Sequence, residues 1–335
     1  MADKKVIVSR FIEVTNKVYG EYVPNGWRPK PFQDNKSRYL WTDAYGVVNY
    51  LTLYVETKEK HYLEQAETLV NVVHDVLGKT RDGKRRLDGA SDQHPTIGGL
   101  RIGKPHDEGG GMDQDGQYYH YLTKWMFALN RMTVVTGKPF YNVWAMELAK
   151  TAHKGFVNNG RMCWKMSIDL KKPLTSSEGG LDPYDGLTMY KVLEATGGGP
   201  SLSHEISDMQ AMVNHRMDRY RTSDPLDAGE ALWLAHFSPN ETYSKKLFER
   251  ASKCVDELWK SGEFSGHSRA RLAFREFGTT IGVQMHPSLT SIWTNRVNQL
   301  HEFWAGHLYS RDNDITPVMY CTSLLPTLFH ASFVG

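Results

Sequence analysis

Four aspartates, Asp43, Asp115, Asp185 and Asp227, each stand just before or at the start of an apolar stretch. The second has the richest surroundings, His106-Asp107-Glu108, three glycines, then Met112-Asp113-Gln114-Asp115. Capping a helix and opposing its dipole needs one carboxylate, and Asp107, Glu108, Asp113 and Asp115 supply four. Like charges so close raise some carboxyl pKa values and leave others ionised, which puts a general acid beside an ionised partner. That pairing suits cleavage of a glycosidic bond, where one carboxyl protonates the leaving oxygen and another attacks carbon or activates water. Asp115 and Asp43 are the first candidate pair. Glu178, in Thr175-Ser176-Ser177-Glu178-Gly179-Gly180, is the alternative partner. His106, Asp107, Glu108 and Asp113 support the first pair as substrate contacts, and Asp182 and Asp185 follow Glu178 closely enough to join them.

Aromatic residues cluster around the same places. Tyr118, Tyr119, Tyr121 and Trp125 follow Asp115, while Trp41 and Trp164 fall on connections near the acids. Aromatic faces stack on the apolar faces of sugar rings, so Trp41, Trp164, Tyr118 and Tyr119 are read as substrate contacts. Tyr121 and Trp125, four apart on one helix face, read as core packing. His120, His204 and His286 read as hydrogen-bonded core groups, with His120, His204 and Tyr119 as candidate bases if the chemistry is proton transfer. HExxH, GxGxxG, GxxxxGK[ST] and GxSxG are absent. Asp113-Gln114-Asp115-Gly116 is half of a calcium loop without the remaining ligands. Neither a metal nor a cofactor is expected.

The elements that must position these residues are helices. Val6–Tyr19 reads as the first, and Asn25–Arg38 as a loop. A nearly all-apolar helix opened by Asp43 precedes an amphipathic one with Tyr62, Leu63, Ala66, Leu69, Val70, Val73 and Leu77 on one face, ended by Gly78. The alternation recurs: a helix opened by Asp115 and running to about Val135, then one carrying Phe140, Val143, Trp144, Leu148 and Ala152. Asp182 or Asp185 opens a helix to Ala195, followed by Ser203–Arg221. Asp227 opens the next, followed by one lined by Tyr243, Leu247, Phe248, Ala251, Val255 and Leu258. Arg271–Met285, Ser288–Ala305 and Pro317–His330 complete the set, the last free to pair with the first. Twelve helices alternating between buried and amphipathic are what a closed ring of six hairpins requires, its inner helices covered on both sides. The fold class read from this pattern is an all-α (α/α)6 barrel or toroid, one domain over residues 1–335. Two long connections, about 79–114 and 157–181, enter inner helices and are read as functional.

With 40 basic against 38 acidic residues the formal charge is +2, and no block of like charges marks a nucleic-acid or membrane footprint. No uninterrupted apolar run approaches bilayer length, and the N-terminal MADKKVIVSRF is no signal peptide. Cys163, Cys254 and Cys321 lack CxxC spacing, so a cytoplasmic, reduced protein is expected. Asn35-Lys36-Ser37 and Asn240-Glu241-Thr242 match glycosylation acceptors of little weight without a secretion signal.

The twelve-helix pattern, with acids at the inner-helix entries and the segment Asp115-Gly-Gln-Tyr-Tyr-His-Tyr-Leu-Thr-Lys-Trp, resembles the six-hairpin glycosidase superfamily, and functionally unassigned members in particular. The resemblance covers nearly the whole chain. It implies a carbohydrate-active enzyme, first of all a glycoside hydrolase with paired carboxylates on the loop face. Relatives of that shape include sugar epimerases, polysaccharide lyases and a terpene alcohol dehydratase-isomerase, and a non-catalytic binding toroid is a further alternative. The DxDD acid and Cys-His-Gly zinc ligands of cyclase toroids are missing. The implied partner is a small-molecule or oligosaccharide substrate, with no nucleic acid and no membrane; the oligomeric state is left open.

Overall fold

A computed structural model describes residues 3–32 and 37–333. Asn35 and Lys36 of the first glycosylation motif, with part of the Asn25–Arg38 loop, lie outside the described residues. Among those described there are twelve α-helices: α1 (Lys4–Tyr19), α2 (Leu40–Thr57), α3 (Lys60–Leu77), α4 (Tyr119–Thr136), α5 (Phe140–Phe156), α6 (Asp182–Thr196), α7 (Ser203–Arg216), α8 (Pro225–Ala235), α9 (Thr242–Lys260), α10 (Ala273–Gln284), α11 (Pro287–Ala305) and α12 (Ile315–Leu324). The alternation holds in burial. Every α2 residue from Leu40 to Leu53 is buried, whereas α3 buries one stripe, Tyr62, Gln65, Ala66, Leu69, Val70, Val73, His74 and Leu77. No helix among the described residues is long and apolar enough to cross a membrane.

The chain forms two compact units: the described part of Tyr19–Val213, and the described part of Met1–Val18 with that of Asn214–Val334. In the first, α2, α4 and α6 lie side by side, with α3 packed on α2 and α5 on both α4 and α6. Short turns close the hairpins. Lys58 (φ 63°) and Gly137 (φ 70°) take the left-handed conformation and donate back to Tyr54 O and Thr133 O. In the second unit, α8, α10 and α12 are neighbours, backed by α9 and α11. The expected pairing of first and last helices is present here: Thr15 Oγ1 lies 3.9 Å from Cys321 Sγ, whose S–H points to Phe11 O.

Three of the aspartate-marked helix starts differ from the sequence reading; α2 begins at Leu40, three residues before Asp43. Asp115 does not open α4, which begins at Tyr119. Asp115 instead ends a two-residue strand, β2 (Gln114–Asp115), paired in parallel with β1 (His106–Glu108). Gln117–Tyr118 (β3) pairs antiparallel with a strand of the other long connection, Lys165–Met166, numbered β6 after the hairpin of β4 (Val157–Asn158) and β5 (Arg161–Met162). Pairing of β3 with β6 keeps this backbone extended and delays the helix. Asp227 likewise does not cap α8; Asp224 does, accepting from Leu226 N–H at 2.9 Å. Proline at the first helical position, Pro225, sets the start two residues earlier than Asp227 suggests. The two long connections therefore carry short strands, and β3–β6 staples one to the other.

Candidate active site

Asp115 is fully buried, and both its oxygens are engaged. Oδ2 accepts from Arg101 Nη1 at 2.6 Å and Arg81 Nη1 at 2.9 Å, and Oδ1 from the backbone N–H groups of Gly103 and Lys104 at 3.0 and 3.3 Å. These partners all come from the 81–104 segment. The two arginines also donate to the carbonyls of Val76, Lys79, Lys104 and Pro105. Asp115 thus ties the end of α3 and the following connection to the entry of α4. Asp43, in the first turn of α2, is also buried, 3.3 Å from the buried Arg38 Nε. Each of the first two candidate acids has a guanidinium beside it.

A different constellation forms where α4 meets α6. His120 and Lys124 sit one turn apart on α4 and grip the two oxygens of Asp185, in the first turn of α6. His120 Nδ1 is 2.5 Å from Oδ2, and Lys124 Nζ is 3.0 Å from Oδ1. Asp185 is fully buried, Lys124 is nearly so, and the side chain of His120 keeps 14% of its exposure. Burial alone would raise the Asp185 carboxyl, but its interactions with His120 and Lys124 outweigh it and hold the group below the usual carboxylate range. Asp182, one turn earlier, is buried beside them, and ligand atoms of His120, Asp182 and Asp185 lie within 4.8 Å of one another. Three such groups could hold a cation, yet Lys124 already supplies the positive charge at Asp185.

Aromatic rings wall this constellation. Trp41, at the start of α2, lies 4.9 Å from the His120 ring and 5.2 Å from Tyr121, centroid to centroid. Tyr118 stacks on Tyr121 at 4.6 Å and 21° and meets Trp164 at 4.9 Å. Tyr39 and Tyr121 share a 2.5 Å hydrogen bond between hydroxyls. The loop staple sets these positions. Tyr118 pairs with Lys165 across β3–β6, Tyr119 N–H donates to Trp164 O, and the buried Lys165 Nζ donates to Gly111 O and Gln114 O.

The other candidates are distributed as follows. His106, Asp107 and Glu108 are exposed in β1; Asp107 is ion-paired to Arg81, and Glu108 accepts from Ile168 N–H. Asp113 is exposed nearby. Glu178 is paired with Arg161 Nε at 2.7 Å, next to Ser177, which accepts from Trp164 Nε1. Tyr119 is wholly buried and donates to Tyr190 OH; burial, reinforced by Tyr190, pushes its phenol well above the ordinary range. It points into packing, away from the role of base. His204 is exposed on α7, and His286 lies in the other unit with Nε2 on Leu232 O. So Trp41, Tyr118, Trp164, Asp182 and Asp185 gather around His120, while Asp115, Asp43 and Glu178 have arginine partners of their own. Sequence reasoning named Tyr121 only as core packing and passed over Tyr39 and Lys124. The signal that could have found Lys124 is its i, i+4 spacing from His120 on a helix too apolar to hold a cation without a partner.

No family model matches the chain, and no curated protein matches it. Solved structures do. A family 76 glycoside hydrolase, an α-mannanase from Bacteroides thetaiotaomicron, superposes with a TM-score of 0.62 over 96% of this chain and 95% of that one, at 11% identity. D-mannose isomerase gives 0.60 over 97% and 99% at 14% identity. Cellobiose 2-epimerase from Spirochaeta thermophila gives 0.59 over 97% and 98% at 13% identity. At such identities the likeness is one of fold: the chain is an all-α (α/α)6 toroid of six helical hairpins, the class its helix alternation predicts.

Proposed function

We propose that the chain is an enzyme acting on sugars, and that its chemistry is proton transfer centred on His120, as in an isomerase or epimerase. The observation that carries this is the His120–Asp185 pair, half-enclosed by the rings of Trp41, Tyr118 and Tyr121. A carboxylate on Nδ1 requires the ring proton there, which leaves the basic lone pair on Nε2. Such a base removes the proton from a carbon next to the carbonyl of an open-chain sugar, giving an enediolate. Return of a proton from the imidazolium, once exchanged with solvent, to the neighbouring carbon gives the isomer as the hydroxyl proton passes between the two enediol oxygens, and return to the opposite face of the first carbon gives the epimer. The aromatic wall suits the apolar face of the substrate. Both a mannose isomerase and a cellobiose epimerase stand among proteins of this fold, beside the mannanase.

Hydrolysis is the second reading, favoured by the closeness of Asp182 to Asp185. In it, Asp182 would protonate the leaving oxygen while ionised Asp185 supports the oxocarbenium-like carbon. Asp115 and Asp43 fit this role less well, since each carboxylate lies against arginine guanidinium groups that already engage it.

Incubation with a panel of reducing sugars and glycosides in deuterium oxide separates the readings. Proton transfer gives a product of the substrate's skeleton carrying deuterium, while hydrolysis adds the elements of water. His120→Asn is expected to lower turnover about 10²- to 10⁴-fold, the usual weight of a general base. Asp115→Asn, which leaves the mostly buried Arg101 without its carboxylate, is expected to cost about 3 kcal/mol of stability while sparing turnover of the folded fraction. Undiminished turnover in His120→Asn would sink the proposal.

A further inference from the structure

The proton-transfer reading gives no task to the buried Lys124. Lys124 is 2% exposed on α4, a position where leucine or methionine would pack without the cost of desolvating a cation. Its Nζ reaches the oxygen of Asp185 that His120 does not use. We propose that Lys124 is a positioning residue that keeps the His120 imidazole neutral, and so available as a base, by taking up half of the Asp185 carboxylate's charge. The proposal rests on the reading of His120 as the base and adds how its protonation is set.

The physical reason is competition for one anion. A buried carboxylate whose only partner is an imidazole stabilises the imidazolium, which cannot accept a proton from carbon. A second cation on the other oxygen weakens that pull, and its own charge, one turn along the same helix, opposes another positive charge on His120. Both effects are large because Asp185 and Lys124 are out of water. The remaining groups around His120 fit this account. Asp182 and Asp185 face it from α6. From α2 it meets the uncharged ring of Trp41, while the acid in that helix's first turn, Asp43, is paired with Arg38. From the α4 entry it meets Tyr118. Lys124 is thus the positive member of a group with two carboxylates, and its removal leaves both to act on the imidazole.

The test reads the imidazole itself. In protein labelled with ¹⁵N-histidine, His120→Asn identifies the His120 signal among the 14 histidines. Its titration is then followed in wild type, Lys124→Met and Lys124→Arg. In Lys124→Met the midpoint is expected to move to higher pH, and the acid limb of the kcat/KM profile on the sugar that is turned over to move with it. Each unit of movement lowers turnover on that limb about tenfold. Lys124→Arg is expected to restore both. If Lys124→Met does not fold, Lys124→Gln keeps a donor to Asp185 without the charge and tests the same direction. A His120 midpoint that stays put or falls in the folded neutral variant overturns the proposal. A midpoint that rises while the wild type turns over no sugar upholds the electrostatic triad and removes only the sugar reading.

Discussion

Single side chains here owe their behaviour to what surrounds them more than to their type. His74 shows this apart from the candidate site. It is wholly buried on α3, its Nε2 accepts from Trp125 Nε1 at 3.0 Å, and burial, with Arg86 adding to it, lowers its pKa from 6.5 to about 3. A charged imidazole would lose that acceptor and set two N–H groups against each other. The folded protein therefore keeps His74 neutral where the unfolded chain would protonate it. Its contribution to stability is full above about pH 6.5 and is lost as pH falls toward 3, the unfolded state binding the extra proton across that window. Urea unfolding between pH 7 and 4 should show a fall in stability that His74→Gln makes shallower. Parallel slopes in the two proteins would show that another group sets the acid sensitivity. Asp185 carries the same sign further into acid. Its depressed carboxyl adds stability above the usual carboxylate range and loses it below.

Element by element, close approach of backbones matters as much as apolar periodicity. The α8–α10 contact is glycine on glycine. A Cβ at Gly229 would collide with the carbonyl oxygen of Gly278, and one at Gly282 with that of Gly229. Between them Thr279 Oγ1 donates to Pro225 O at 2.6 Å. Gly229→Ala should force the helices apart and cost about 1–3 kcal/mol in a chemical unfolding curve, the usual range for overpacking. A change within about 0.5 kcal/mol of wild type would mean the pair relaxes freely. The opposite device holds the α4 entry. There Gly103 (φ 90°) brings its N–H to Asp115 while its missing Cβ leaves room for Arg38 O. Loops, glycines and buried ion pairs set where the aromatic wall stands; the helices supply the frame.

For the whole molecule, the order of the chain is not the order of its compact units. Helix α1 belongs with residues 214 onward, although Tyr19–Val213 follows it directly. Phe11 and Val14 are fully buried, and Lys17 Nζ sits 3.6 Å above the Tyr309 ring. Deleting residues 1–18 should thus loosen the C-terminal unit first. Limited proteolysis with mass analysis is expected to show new early cuts beyond Asn214, whereas first cuts within Tyr19–Val213 would contradict the assignment. The sequence left the last helix free to pair with the first, and α1 and α12 do meet in this unit.

The sequence by itself determined the fold class. Twelve helices alternating between wholly apolar and one-faced can be read along the chain, because helical periodicity is local and each helix shows how much of its surface must be covered. It also directed attention to the long connections, since segments rich in aromatic and acidic residues stand out against short turns. What it could not determine was which acid faces what. Asp115 looked like a helix opener because nothing local shows Arg101 and Arg81 closing on it. His120 looked like a core histidine because Asp185, its partner, is 65 residues away. Lys124 drew no reading for the same reason. Whether a buried carboxylate is a latch, a base's partner or an acid is decided by the charges within a few ångströms of it, and only the packing of α4 against α6 brings those together.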